Sequence, residues 1–244
     1  MSKKAQEWNG KPGKPAKFAS PPGGDGGRIN VSKMQVREFT SRTALQTTAI
    51  KMLQEKDVVF LIGPAGTSKT YLGAKMAIDL LKSREVDKIL ATRPAVEAGE
   101  SVGFLTGDLA AKMAPYLKPI FENLAHFVGK GVVDQLIKNE LIELSSMTYI
   151  RGRTFHRTVM LLDEMQNATP EQLRMCLTRI GEDTLVVVTM DPEQIDLPED
   201  KVSACEDLWM FENERNIGII RFGDKDVVRS EGAKMINRCY RKTR

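Results

Sequence analysis

Gly63-Pro64-Ala65-Gly66-Thr67-Ser68-Lys69-Thr70 is a run of small residues closed by a lysine and a hydroxyl. Small side chains let backbone N–H groups wrap phosphate oxygens. A lysine at the end of such a loop reaches the outer phosphates, and the last hydroxyl is a magnesium ligand. One position departs from GxxxxGK[ST]: Ser68 stands where a second glycine is usual. Serine keeps the N–H donor but is penalised at positive φ, so a slightly altered loop is expected. The second pair able to do chemistry is Asp163-Glu164. Alone, an Asp-Glu after a strand reads as a helix cap or a solvated turn. Beside a phosphate loop, Asp163 becomes a magnesium holder through water, and Glu164 the group that orients or deprotonates an attacking water. A glutamate in that place favours hydrolysis over transfer to a small metabolite, whose nucleophile arrives with its own substrate.

The elements needed to position these groups are legible. Val58–Ile62 is a short apolar run leading straight into the loop, and a helical period over about 69–82 follows it. Thr158–Leu162 leads in the same way into Asp163. Further apolar runs at 88–92, 141–144, 185–190 and 217–222 alternate with helical patterns at about 112–138 and 170–180. An amphipathic segment from Ser41 to Asp57 precedes the first strand. Short apolar strands separated by helices predict an α/β fold, a mostly parallel sheet covered on both faces. In such a sheet both site segments lie at the carboxyl edge, where ligands collect. Thr169 and Gln172, with Pro170 in the first turn, predict a capping box at the start of the helix over 170–180.

Composition narrows the partners. Residues 1–30 hold six cationic against two anionic side chains, which accounts for the whole formal charge of +4. With Pro12, Pro15, Pro21 and Pro22 and a glycine-rich run from Gly23 to Gly27, that stretch holds too little apolar surface to offset the entropy of ordering; it is expected to be a disordered tail or an expression remnant, and residues 31–244 a single domain. No apolar run approaches a membrane span, and Lys, Gly and Pro occupy the place of a secretory signal, so a cytoplasmic protein is expected. Cys176, Cys205 and Cys239 have no CxxC or Cys/His spacing and read as reduced structural thiols.

Seven ordered stretches between about 40 and 240 resemble the PhoH family, phosphate-starvation-inducible P-loop ATPases related to the helicase-type, RecA-like core. They include GPAGTSKTYLGAKMA (63–77), TRPAVEAGESVGFLTGDL (92–109), YIRGRTF (149–155), LLDEMQNATPEQLRMCLTRIGE (161–182), DPEQIDLP (191–198) and DKDVVR (224–229). The resemblance implies Mg-dependent ATP binding and hydrolysis, with residues 63–70 and Gln46 on the nucleotide, Thr70 and Asp163 on the metal, and Lys69 and Glu164 in the reaction. It places Gln194 as a γ-phosphate sensor and Gln46 on the adenine edge, although Gln46 also reads as an exposed helical glutamine. Met190 occupies a position that is usually glycine in the family. Among arginines at matching positions, Arg153 and Arg229 are candidate fingers; Arg151 and Arg179 also lie in matching stretches. With one ATPase core in the chain, a finger is expected from a neighbouring subunit, in a homo-oligomeric, hexameric ring. The Arg151-Gly152-Arg153 stretch suits RNA phosphates or a salt bridge equally well. Coupling to single-stranded RNA is implied; the other reading is a nucleotide-gated scaffold for a ribonuclease or translation-associated partner.

Overall fold

The computed structural model describes residues 29–94 and 109–229, with 232, 233, 235, 236 and 239 beyond them. The tail expected over 1–30 lies, but for its last two residues, outside the described residues, as does 95–108 of the family-like stretch 92–109. The chain runs through α1 (Ala44–Glu55), β1 (Val58–Ile62), α2 (Lys69–Ser83), β2 (Lys88–Thr92), α3 (Leu109–Val128), α4 (Lys130–Lys138) and β3 (Ile142–Leu144). It continues through β4 (Thr158–Leu162), α5 (Pro170–Leu177), β5 (Leu185–Met190) and β6 (Ile217–Arg221). The six strands form one sheet in the order β3-β2-β4-β5-β1-β6, and every pairing is parallel.

The two-residue period of the strands divides the core. Val59 and Leu61 of β1, Val159 and Leu161 of β4, and Leu185 and Val187 of β5 face a cluster built with α1 to α4. Their neighbours Phe60, Met160, Leu162, Val186 and Val188 face a second cluster that includes Leu173 and Cys176 of α5. Because β1, β4 and β5 are buried along their whole length, their sequences are continuous apolar runs without alternation.

Two helical readings differ from expectation, and the strands expected over 141–144 and 217–222 are each one residue shorter, lacking Leu141 and Phe222. The helical region over 112–138 is two helices, broken at Gly129 with φ +88°. The helix expected to reach 180 stops at Leu177. Its capping box forms as expected, but at the far end the Thr178 hydroxyl donates back to the carbonyl of Arg174 at 2.9 Å, and Ile180 leaves to bridge Phe155. Met190 is the buried last residue of β5, and its carbonyl accepts from Gly63 N at 3.0 Å. Its φ is not positive, so the position makes no demand for glycine. Among the described residues, no helix is long and apolar enough to cross a membrane.

Two arginines of the 149–157 stretch, Arg153 and Arg157, are held by carboxylates. Arg153 grips Glu143 of β3 with two hydrogen bonds, 2.6 and 2.9 Å, and its guanidinium lies 4.6 Å from the centre of the Phe155 ring. Arg157 bonds Asp87 and the carbonyl of Arg84. The Arg153 hydrogen bonds, working against partial burial and helped by Lys88, hold the Glu143 carboxyl down at about 2, against an ordinary 4.5. A depressed folded value adds stability above the unfolded pKa and loses it as pH falls through the folded one. The expected loss is on the order of 1–2 kcal/mol between about pH 4.5 and pH 2, after allowing for solvent screening of this half-exposed pair. Urea unfolding across that range should show a flatter acid limb for Glu143→Gln than for wild type; parallel limbs would remove the pair from the acid stability.

Candidate active site

The carboxyl ends of β1, β4 and β5 bring the predicted groups together. At Gly63, φ is +143°, and an added Cβ would sit 2.5 Å from the Phe222 carbonyl oxygen. At Gly66, φ is +92°, and an added Cβ would run into the Arg229 side chain at 2.6 Å. Only glycine meets both demands. Thr67 folds the loop on itself by donating to the Pro64 carbonyl at 2.9 Å.

Ser68 adopts the left-handed conformation, φ 71° and ψ 24°, just before α2. The penalty expected from its sequence position is therefore present, at about 1 kcal/mol for a residue with a Cβ. Ser68→Gly should raise stability by about 0.5 kcal/mol, the relief of that strain less the greater freedom of glycine in the unfolded chain. A fall in the urea midpoint would show that the serine is not strained.

Lys69 opens α2 almost fully buried, its ammonium donating to the carbonyls of Gly63 and Pro64. Burial pushes its pKa down; Asp191, Glu164 and Asp163, in that order, oppose the shift. Thr70 donates to Asp163 Oδ1 at 2.6 Å, across 93 residues of sequence, and Thr189 of β5 donates to the same oxygen at 2.8 Å. Burial, reinforced by the neighbouring Glu164, pushes the Asp163 carboxyl up; the two hydroxyls act in the opposite sense.

Glu164 is also left-handed, with φ 55°. The strain is held by the Thr189 hydroxyl, which accepts from Glu164 N at 2.9 Å. Gln166 ties this turn to the end of β5. Its amide nitrogen donates to Glu164 Oε2 at 2.5 Å and to the Gln194 carbonyl at 3.2 Å, and its amide oxygen accepts from Asp191 N at 3.0 Å. The Gln194 side chain donates to Asp191. Gln194 is thus joined to Glu164 through Gln166, although it does not line the loop cavity.

That cavity, 810 Å3, lies over the loop and is lined by Lys69, Thr70, Glu164, Arg229 and Gln46 among others. Gln46 is buried, not exposed, and its side-chain oxygen accepts from Arg42 N at 2.8 Å. With the oxygen held, its NH2 is the end left to meet a base. Arg229 arrives from its own chain: Val228 N donates to the Gly66 carbonyl at 2.9 Å, which lays the 224–229 stretch against the loop. The chain's own fold therefore places Arg229 beside Gly66. Arg153, occupied at the β3 edge, is not brought to the cavity. The three thiols are free; burial pushes Cys176 up to about 12 and raises Cys205, whereas Cys239 is exposed.

Three contributors escape a motif reading. Thr189 is a strand residue with a hydroxyl inside an apolar run. Gln166 is one amide in a polar turn. Arg93, just past β2, lies 3.8 Å from Asp163 Oδ2 and 4.0 Å from Glu164 Oε1. Arg93 and Gln166 fall within family-like stretches, but nothing in those stretches marks their contacts with the acidic pair; Thr189 has only its position near the carboxyl end of a central strand.

Comparison with known proteins follows this geometry. A family described as PhoH-like protein matches residues 38–241. Protein PhoH of Escherichia coli K12 is 40% identical over 193 residues, which is 78% of this chain and 54% of the relative. A PhoH-like protein of Bacillus subtilis is 39% identical over 218 residues, 89% of this chain and 65% of the relative. The chain thus spans a little over half to two thirds of the length of these curated relatives. Among solved structures, the Candida albicans Pif1 helicase is 18% identical, with 75% of this chain and 40% of the helicase covered and a TM-score of 0.40.

Proposed function

The chain belongs to the PhoH family, and from that premise we propose that it binds Mg-ATP in the loop cavity and hydrolyses it. The observation that carries the proposal is the 2.6 Å hydrogen bond from Thr70 to Asp163, which joins the phosphate loop to the acidic strand end. A hydroxyl and a carboxylate that close are the hard-oxygen pair magnesium takes when phosphates and water complete its shell. Among the described residues, no group of three or more His, Cys, Asp or Glu is placed to hold a metal, which fits an ion shared with the nucleotide. When bound there, magnesium would neutralise charge on the phosphate oxygens.

The chain's own groups account for the rest. Lys69 exchanges the carbonyls of Gly63 and Pro64 for phosphate oxygens. Glu164, held by Gln166, orients the attacking water and takes its proton. Arg229, across Gly66, adds positive charge beside the phosphates, and Gln194 carries the state of the site outward through Gln166. Gln46 presents its NH2 to the adenine edge. By family resemblance the cycle is coupled to single-stranded RNA, in a homo-oligomer that is a hexameric ring, with Arg153 free to act only after leaving Glu143. Light scattering on the eluting protein tests the ring, and a monomeric mass with and without ATP would remove it.

A second reading is a nucleotide-gated scaffold for a ribonuclease or translation-associated partner, favoured by the left-handed Ser68 in the loop. Steady-state phosphate release separates the two. ATPase action requires Mg-dependent turnover, whereas ATP binding without phosphate release would select the scaffold.

A further inference from the structure

A second cavity, 580 Å3, shares no lining residue with the first. Its walls offer hydroxyls and amides, Ser146, Thr148, Asn167 and Gln172, and two cations, Arg93 and Lys201, against one carboxylate, Asp196. Among the described residues, the Lys201 ammonium has no ion-pair partner. Neutral donors with two cations suit a phosphodiester. A single residue separates this cavity from the hydrolytic carboxylates. Arg93 lines the second cavity, Glu164 lines the first, and their charged ends lie 4.0 Å apart, with Asp163 3.8 Å from the same guanidinium.

We infer that the second cavity seats the phosphodiester of a single nucleic-acid strand, and that Arg93 is the positioning residue through which a seated strand governs Glu164. This rests on the reading of Glu164 as the group that handles water. The guanidinium stands over Glu164 and Asp163 at distances too long for good hydrogen bonds. A phosphodiester offers that guanidinium a two-pronged partner. Drawing Arg93 toward the strand opens the space beside Glu164 Oε1 to water. The coupling is reciprocal, so the nucleotide state also biases how tightly the strand is held.

The test is phosphate release from Mg-ATP with and without oligo(U), together with fluorescence anisotropy of labelled oligo(U). Oligo(U) should raise wild-type turnover. Arg93→Gln should release phosphate without oligo(U) at close to the stimulated wild-type rate, gain less than about 2-fold from adding it, and bind it more weakly. Lys201→Ala should keep the unstimulated rate, bind oligo(U) about 5-fold more weakly, and lower the log-log salt slope by about 1. Three results overturn the inference: wild-type turnover indifferent to oligo(U), Arg93→Gln with the wild-type stimulation ratio, or Arg93→Gln without turnover but with unchanged oligo(U) affinity. A wild type that binds Mg-ATP yet releases no phosphate in either condition defeats the hydrolytic proposal instead. Anisotropy then decides the cavity alone, where equal oligo(U) affinity for wild type and both variants overturns it.

Discussion

Lys69→Ala is expected to lose nucleotide binding by at least about 100-fold, the worth of roughly 3 kcal/mol in charge-assisted hydrogen bonds to phosphate. The ammonium lies at the mouth of the loop, held by two loop carbonyls that a phosphate oxygen can replace without moving the backbone. Alanine keeps the helix start but removes the cation to which Asp191, Glu164 and Asp163 are coupled. A titration with a fluorescent ATP analogue reads the affinity, and a urea curve on the same sample shows that the variant is folded. Binding within about 3-fold of wild type, a difference of well under 1 kcal/mol, would mean that nucleotide phosphates do not sit on this loop.

Glu164→Gln has the opposite signature. Turnover should fall by about 100-fold or more, as for loss of a positioned general base, while ATP affinity stays near that of wild type. The substitution is nearly isosteric, and an amide oxygen still accepts the hydrogen bond from Gln166. What disappears is the negative charge and its proton affinity. Single-turnover phosphate release with ATP bound at saturation isolates that step. A wild-type rate in the variant would reassign the base, with Asp191, a buried carboxylate that also acts on Lys69, as the next candidate.

Legibility followed the range over which the physics acts. The strands at 58–62, 158–162, 185–190 and 88–92 were readable to the residue, because full burial in a parallel sheet leaves continuous apolar runs bounded by turn residues. The capping box at Thr169 was readable because both partners lie within one helical turn. The loop and the acidic pair carried their chemistry in residue type and spacing. By contrast, the stop of α5 at Leu177 depends on a bridge from Ile180 to Phe155, a partner that local periodicity cannot name. Gln46 left two readings open, because burial at the edge of a cavity is a tertiary property. The contacts of Arg93 and Thr189 were not legible for the same reason: each reaches Asp163 or Glu164 from a strand end distant in sequence. Arg229 was identified as an arginine of interest, but its origin in the same chain required the hydrogen bond between Val228 and Gly66.

The strand order has a temporal consequence. β5 lies between β4, which leads to Asp163, and β1, which leads to the loop, yet residues 185–190 follow both in the chain. Thr70 and Asp163 therefore have no framework to meet on until that later strand slots between their own. Closing so wide a loop of chain is slow relative to helix formation. On refolding, helical circular dichroism should return before the ability to retain nucleotide. During synthesis on the ribosome, the phosphate loop emerges long before it has anything to hold.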